Sequence, residues 1–451
     1  MSDELRLLRY NTGTDKKVFV KLKNEFDAVI FNATIVAYSG SSVADLVSAH
    51  KRQFIIDPQT HIFQHDISAI QTFRKKTGTV EIKKSVEQYL ATFPSALKSI
   101  ILQERRPVFP NDITRNIDEL ANSVYQFETA YVQGHIKKKE YDKYLDFAGI
   151  RPTPRLAIAP YFMLKSSYSE DETSAWMQVN RKLIDSFVQI NSGNFEVAAQ
   201  LVLEQKVLTK ASIYNLIKST YDNAGISYIF LWIDEFDTFE ASGPMRQAFY
   251  QLLSTFKELG IKPIMAYGGY DSILLCNNQI TNRLFGVAQS VGYGESRAIT
   301  PVGGGLPVNK YYFEPLHRRL RFEEAFYILQ HAGYFDPAKS KRAHARDYYA
   351  HICKCAQCRD IIQDDIDNFN RYNDSIPFVV RARYGDISRN RPTSEASLIS
   401  ALHFSYCKAK EWQDVINMDL DILVAKLIEN YKKYAPNRVS NIENWCEIYA
   451  H

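Results

Sequence analysis

The chain has 451 residues, of which 45% are hydrophobic and 24% are charged, enough apolar material for a large buried core. Its net charge is only +4, and this small excess by itself does not indicate a polyanionic partner. The first residues do not read as a basic-then-apolar leader, and no apolar run reaches the ~18 residues that a membrane span needs, so we predict a cytoplasmic location.

Eight segments are predicted as β-strands, because each is rich in β-branched, aromatic or other apolar residues. Most of them end in Asp, Gly or Pro. In chain order they are Phe26–Val36, Phe54–Pro58, Arg155–Leu164, Ile226–Ile233, Pro263–Gly269, Gly286–Gly294, Lys310–His317 and Gly333–Pro337. The helices predicted among them are about Ser42–Lys51, Thr173–Ile190, Phe195–Asn223, Pro244–Leu259 and Phe322–His331.

This alternation of strands and helices predicts an α/β fold with a parallel sheet. Eight parallel strands with helical crossovers close into a (β/α)8 TIM barrel, whose active site lies at the carboxyl ends of the strands. A doubly wound open sheet is the alternative. We predict that residues 1–65 begin the barrel, 66–150 form a helical insertion, 151–345 complete the barrel, and 346–451 form a zinc-binding, helical C-terminal region.

A cluster of cysteines predicts a metal site in that last region. Three of the six cysteines follow a C-x-C-x-x-C pattern, and a histidine lies beyond them in Leu402-His403-Phe404. Three thiolates and one imidazole complete a closed tetrahedron around a structural Zn2+ ion. The predicted ligands are Cys353, Cys355, Cys358 and His403, with His351 as the alternative histidine. Scattered Cys276, Cys407 and Cys446 suit a reducing compartment.

These features resemble the tRNA-guanine transglycosylase superfamily, zinc-bearing (β/α)8 enzymes that exchange guanine for a 7-deazaguanine base. The C-x-C-x-x-C motif with a later histidine is the specific part of the resemblance. The family's Asp-Ser-Gly-Gly-Phe-Gln segment becomes Asp57-Pro58-Gln59-Thr60-His61-Ile62-Phe63-Gln64 here, and 45 positions separate Cys358 from His403, more than is usual. These departures and the insertion look like the DNA-modifying branch (DpdA-type), which inserts 7-cyano-7-deazaguanine (preQ0) into DNA.

The resemblance implies a role for particular residues. It makes Asp336, after the aromatic pair Tyr334-Phe335, the nucleophile that forms a covalent glycosyl-enzyme, and Asp57 the general acid and base. The substrate-binding positions that it implies are Asp234, Tyr267, Gly268, Gly269, Gly292 and Gly294, and Asp237 is the alternative to Asp234 as the residue that reads the base. DNA is the preferred substrate and tRNA the alternative, with a 7-deazaguanine base as co-substrate and accessory DNA-modification proteins as candidate partners.

Several of these residues also have purely structural explanations. An aspartate before proline, as at Asp57 and Asp336, commonly forms a turn or caps a helix. A catalytically silent, zinc-containing barrel that binds nucleic acid is therefore the second hypothesis. Four basic runs are candidate phosphate contacts, although such runs also occur on solvated helix faces. They are Arg74-Lys75-Lys76, Lys137–Lys139, His317-Arg318-Arg319 and Lys339–Arg346.

Overall fold

A computed structural model describes residues 4–11, 13–50, 53–74, 78–136, 143, 153–191, 193–292, 295–300, 308–382 and 385–450, with the backbone alone for 380–382 and 385–387. Gly294 and Lys137–Lys139, two of the predicted sites, lie outside these residues.

Eight strands form one sheet in which every pairing is parallel. They follow one another around the sheet in chain order, as in a TIM barrel. The two edge strands meet where the Arg155 backbone N–H donates to the Phe54 carbonyl at 2.8 Å, so the sheet is nearly closed into a barrel. The strands are β1 Leu5–Tyr10, β2 Ala28–Asn32, β3 Gln53–Asp57, β4 Ala157–Ile158, β5 Val197–Leu203, β6 Tyr228–Ile233, β7 Lys262–Met265 and β8 Gly286–Ser290.

Two of the eight strands predicted for the barrel are not part of it, and two strands that are part of it were missed. Lys310–Phe313 pairs antiparallel with Arg318–Arg321 in a separate hairpin, and Gly333–Pro337 is a turn between helices. The missed strands are β1 and β5, and β5 lies within the helix predicted at Phe195–Asn223. A short, mostly apolar run such as Val197–Leu203 is compatible with a helix or a strand. Here it is a strand, buried on both faces of the parallel sheet.

Alternation along the strands separates two buried regions. Side chains that point into the barrel form one cluster, exemplified by Leu5 and Leu7 of β1 and by Ile55 of β3. Their neighbours, such as Leu8 and Ile56, join a larger cluster beneath the surrounding helices. Because side chains alternate, Arg9 of β1 and Asp57 of β3 continue the inward-facing series at the carboxyl end.

Helices cover the outside of the sheet and build the insertion and the C-terminal region. The α-helices are α1 Gly13–Leu22, α2 Ala33–His50, α3 Lys84–Leu90, α4 Ser95–Leu102, α5 Pro110–Thr114, α6 Ile117–Gly134, α7 Glu170–Asn191, α8 Ile213–Tyr221, α9 Gly243–Glu258, α10 Tyr270–Leu274, α11 Phe322–His331, α12 Lys341–His351, α13 Ala356–Ile362, α14 Ser394–Asn417, α15 Leu420–Tyr434 and α16 Val439–Tyr449. Short 3-10 helices are Lys23–Glu25, Thr60–Gln64, Ile67–Ile70, Gln205–Val207, Glu314–Leu316, Ile366–Asn373 and Pro436–Arg438.

Two further hairpins lie outside the barrel. Gln71–Arg74 pairs with Thr79–Ile82 between β3 and α3, and Ser375–Ala382 pairs with Gly385–Pro392 before α14. Within the described part of the chain, no helix is both long and apolar enough to cross a membrane.

Candidate active site and metal centre

A buried ion pair lies inside the barrel at the carboxyl ends of the strands. Arg9 Nη1 lies 2.7 Å from Asp57 Oδ2, and both side chains are completely buried. Arg9 Nε also donates to the Ala266 carbonyl at 2.7 Å, which fixes the guanidinium beside β7. Loss of either partner would leave an uncompensated buried charge, so the folded state depends on both side chains being present.

The second oxygen of Asp57 also has partners. The Tyr161 hydroxyl donates to Oδ1 at 2.6 Å, and the Gln59 backbone N–H donates to it at 3.2 Å. Burial, followed by the negative charge of Asp57, raises the pKa of Tyr161, so its hydroxyl stays protonated. Asp57 is therefore coupled to a proton donor as well as to a cation.

Aromatic rings surround this ion pair. The Tyr267 ring lies under the Arg9 guanidinium with 4.3 Å between them, and its hydroxyl accepts a 2.6 Å bond from Arg297. His61 stacks on Tyr161 with 5.4 Å between ring centroids and meets Trp232 edge-on at 5.1 Å. The buried ion pair is thus packed among flat aromatic rings.

Polar atoms without partners point to the same place. Among the described residues, Arg9 Nη2, His61 Nδ1 and both amide atoms of Gln200 are buried without a hydrogen-bond partner. Gln200 lies on β5 midway between Ala198 and Val202, which point into the barrel, and its even spacing from both puts its side chain on the same face. Buried polar groups are normally satisfied, so these atoms indicate a place for a polar ligand or ordered water.

The structure separates the two aspartates that follow β6. Asp234 Oδ1 accepts the Ile299 backbone N–H at 2.8 Å, beside Arg297, and its side chain is half-buried. Asp237 lies instead near Asp271 and Arg318. Burial and the charge of Asp271 raise the pKa of Asp237 to about 7, against the opposing effect of Arg318. Asp234 is thus bonded to the loop that carries Arg297, whose guanidinium lies over the Trp232 and Tyr267 rings.

The predicted glycines have structural explanations. A Cβ on Gly268 would lie 2.6 Å from the Ser272 Cβ and 2.7 Å from Val287, so only glycine fits where α10 packs on β8. A Cβ on Gly269 would meet an Asp271 oxygen at 3.0 Å. Gly292 lies in an exposed turn after β8.

Asp336 does not lie at the end of a barrel strand, so the predicted position of this residue in the fold is wrong. It is exposed in the turn between α11 and α12, where Oδ1 accepts the Ala338 backbone N–H at 2.9 Å. His344 Nε2 contacts its carbonyl at 2.8 Å. This is the turn-forming role of an aspartate before proline.

The predicted metal-binding residues do come together. The Sγ atoms of three cysteines and the Nδ1 atom of His403 all lie within 4.8 Å of one another, and the cysteines are Cys353, Cys355 and Cys358. Cys355 caps α13, and its Sγ accepts the Cys358 backbone N–H at 3.4 Å. The C-x-x-C spacing thus follows from one turn at a helix start. His351, the alternative ligand, is exposed and bonds to the Asp347 carbonyl.

The separations fit a tetrahedral ion. Metal–sulfur and metal–nitrogen bonds of ~2.3 Å and ~2.0 Å put sulfur and nitrogen about 3.5 Å apart. Nδ1 of His403 lies 3.3 Å from both Cys355 Sγ and Cys358 Sγ and 4.0 Å from Cys353 Sγ. His403 Nε2 contacts the Tyr312 carbonyl at 2.7 Å, which assigns the proton to Nε2 and leaves Nδ1 for the metal. The cluster could therefore hold a metal ion.

A fourth cysteine lies beside the cluster. Cys407 is one helical turn beyond His403 on α14, and its Sγ lies 3.6 Å from His403 Nδ1 and 3.8 Å from Cys353 Sγ. From its sequence position alone, Cys407 was predicted to be a scattered thiol. Its spacing of four residues from His403 on one helix was the signal that could have placed it here.

The same helix connects the metal centre to the barrel. Lys408 is buried, and its Nζ lies 2.7 Å from Glu295, which follows β8, and 3.0 Å from Glu411. Glu411 also contacts His317 Nδ1 at 2.6 Å. This polar layer joins α14 to the loop after β8.

Glu411 makes the stability of this layer dependent on pH. Burial would raise its pKa, but Lys408 and His317 outweigh that effect and lower the pKa to about 2. Because the native pKa lies below the unfolded value of ~4.3, the stabilisation is complete above that value and disappears as pH falls toward 2. We expect the stability advantage of the wild type over Glu411→Gln to shrink by about 1–2 kcal/mol between pH 6 and pH 3. Urea unfolding of both proteins at pH 6 and pH 3 measures this change. A stability difference that stays the same at both pH values would contradict the lowered pKa of Glu411.

No protein-family model matches the chain, and no curated protein matches it. The site therefore has to be interpreted from its own geometry.

Sequence reasoning did not find most of the residues around Asp57. Arg9, His61, Tyr161, Trp232 and Arg297 come from five different strands or the loops after them. Only Arg9 carried a usable signal, since a charged residue continues the apolar series Leu5, Leu7 in β1.

Proposed function

We propose that the chain is a base-exchange transglycosylase that replaces guanine in nucleic acid, preferably DNA, with a 7-deazaguanine such as preQ0. The observation that carries the proposal is the set of unpartnered polar atoms among aromatic rings beside Asp57, because it suits a flat, hydrogen-bonding base. The parallel sheet and the Cys/His cluster agree with the resemblance that suggested this chemistry. tRNA is the alternative substrate.

The metal in this proposal is zinc, in a structural role. Three thiolates and one imidazole at tetrahedral spacing suit Zn2+ and leave no position for a substrate. The ion would stabilise the C-terminal region, and no step of the reaction passes through it.

The proposed reaction is a double displacement. A carboxylate attacks the sugar C1′, the N-glycosidic bond breaks, and guanine leaves with a proton from a general acid. The incoming base then gives its N–H proton back to the same group, displaces the carboxylate and restores the glycosidic bond. We assign proton transfer to Asp57, with the Tyr161 hydroxyl 2.6 Å away, and the nucleophile to Asp234 in place of Asp336.

Replacing the proposed nucleophile tests the assignment directly. Asp234→Asn should abolish base exchange and any covalent adduct, because an amide cannot serve as the nucleophile. Asp336→Asn is the control, and it should retain activity because Asp336 is an exposed turn residue. The assay incubates each protein with duplex DNA or tRNA and labelled guanine or preQ0, then counts label in the polymer. Loss of activity in Asp336→Asn alone would return the nucleophile to Asp336.

One observation favours a non-catalytic alternative. Both Asp57 oxygens are already bonded, and the side chain is completely buried. A barrel that only binds nucleic acid would keep this arrangement for stability. Absence of label from both polymers, together with measurable nucleic-acid binding, would favour this second function.

A further inference from the structure

An exposed hairpin projects from the segment that links β3 to α3. Its strands, Gln71–Arg74 and Thr79–Ile82, form a two-stranded sheet of their own, and the segment leaves the barrel at the carboxyl end of β3. Phe73 and Val80 are directly opposed, so their side chains share a face. They are 60% and 48% exposed. An aromatic and an aliphatic side chain of this hairpin are thus exposed to solvent.

A cleft of about 490 Å³ lies next to this hairpin. Its walls come from the end of β1, the first turns of α2 and the start of α3, and they include Tyr10, Asn11, Thr34, Tyr38, Ser39 and Lys84. Tyr38 is 56% exposed, and Lys84, two residues after the hairpin, is exposed as well. We call this feature the rim cleft.

The rim cleft adjoins the proposed active site. Asn11, on its wall, accepts a 3.2 Å hydrogen bond from the Asn32 side chain. Asn32 is paired in register with Asp57 across β2 and β3. A chain lying in the rim cleft would therefore run past the strand ends on which Arg9 and Asp57 lie.

The charge around the hairpin identifies the kind of partner. Residues 71–85 contain five basic side chains and a single acidic one, Glu81, which pairs with Arg74. The basic residues are Arg74, Lys83 and Lys84, together with Lys75 and Lys76, which lie outside the described residues. Exposed aromatic rings combined with basic side chains are how proteins hold unpaired nucleic acid, because the rings stack on bases and the cations meet phosphates.

We propose that the rim cleft and the hairpin bind the DNA strand that flanks the target nucleotide, with Tyr38 and Phe73 stacking on bases and Lys84 contacting a phosphate. The inference rests on the proposed function in taking nucleic acid as the substrate. It adds a binding surface outside the barrel mouth. A nucleotide must leave the stack to reach Asp57, and a surface that holds its unpaired neighbours would stabilise that state.

The test is binding of a fluorescein-labelled 20-nucleotide single-stranded DNA, measured by fluorescence anisotropy. Tyr38→Ala and Phe73→Ala should each raise Kd roughly 10-fold, the size expected for one lost base–aromatic stack. Tyr327→Ala is the matched control, since Tyr327 is 60% exposed on α11, outside the rim cleft. Lys84→Gln should lower the slope of log Kd against log salt by about one.

The outcomes separate this inference from the proposed function. If Tyr38→Ala and Phe73→Ala bind like Tyr327→Ala, or if the wild type does not bind the DNA at low salt, the inference is overturned even where base exchange occurs. If the two variants bind weakly while no base exchange is detected, the surface stands and the proposed function fails. RNA of the same sequence is run in parallel, and tighter binding to RNA would overturn the assignment to DNA.

Discussion

The Cys358→Ser variant is expected to purify without its metal ion and to unfold at a lower temperature than the wild type. Cys358 is completely buried, with its Sγ 3.3 Å from His403 Nδ1. The Tyr348 and Tyr372 hydroxyls lie 3.3 and 3.5 Å from the same sulfur. Removal of this thiolate takes away a ligand and leaves those hydroxyls facing a weaker acceptor.

The expected loss is large because metal binding to a closed site contributes directly to the free energy of folding. We expect the free energy of unfolding to fall by about 4 kcal/mol or more, the range in which loss of a metal stands out among point mutations. Metal content by plasma mass spectrometry and thermal unfolding by circular dichroism measure the two effects.

Cys446→Ser provides the matched control. Cys446 lies half-buried on α16, outside the metal centre, so this variant should keep its metal and most of its stability. A full metal complement in Cys358→Ser would contradict the predicted ligand set. Cys407 would then be the substitute ligand, because its Sγ lies 3.6 Å from His403 Nδ1, and the double variant Cys358→Ser/Cys407→Ser should lose the ion.

The Cys/His cluster was predictable because three of its four members lie close together in the sequence. Cys353, Cys355 and Cys358 lie within six residues, and the turn that starts α13 brings them together without help from the rest of the fold. The partner histidine required a choice between two candidates. That choice depended on the direction of α14, which places His403 inward and its Nε2 on the Tyr312 carbonyl.

The α/β barrel was predicted, but some of its eight strands were placed at the wrong segments of the chain. Lys310–Phe313 has the aromatic character of a strand, and it is one, but its partner is the hairpin strand Arg318–Arg321. Nothing local distinguishes a strand that joins the sheet from one that pairs with its neighbour. The eighth barrel strand was predicted at Gly333–Pro337, although the true eighth strand is Gly286–Ser290. The nucleophile was therefore assigned to Asp336, at the end of the wrong segment.

The residues around Asp57 were not predictable because they meet only in the closed sheet. Arg9 and Asp57 are 48 positions apart, and Tyr161 is 104 positions from Asp57. Each looks ordinary in its own segment. Their contacts depend on β1 and β3 both pairing with β2, an arrangement that a single sequence does not specify.

Breaking the Arg9–Asp57 pair should have the second large effect, and the variants can separate stability from catalysis. Asp57→Asn leaves the buried guanidinium of Arg9 uncompensated, so we expect a loss of ~3–5 kcal/mol in the free energy of unfolding. The double variant Arg9→Met/Asp57→Asn removes both charges and should recover most of that loss. Urea unfolding of the wild type, both single variants and the double variant completes the cycle.

The same proteins test the role of Asp57 in base exchange. If Asp57 transfers the proton, the double variant should be stable yet ~10²–10⁴-fold slower than the wild type. The matched control is Asp27→Asn, because Asp27 pairs with Arg6 at 3.5 Å near the opposite ends of β1 and β2, where the carboxylate is 36% exposed. Loss of that exposed pair should change stability by no more than ~1 kcal/mol and leave base exchange intact. A stable double variant that exchanges bases at the wild-type rate would make Asp57 a structural residue. Proton transfer would then belong to another group inside the barrel. His61 would be the next residue to replace, because its Nδ1 is buried and unpartnered among the described residues.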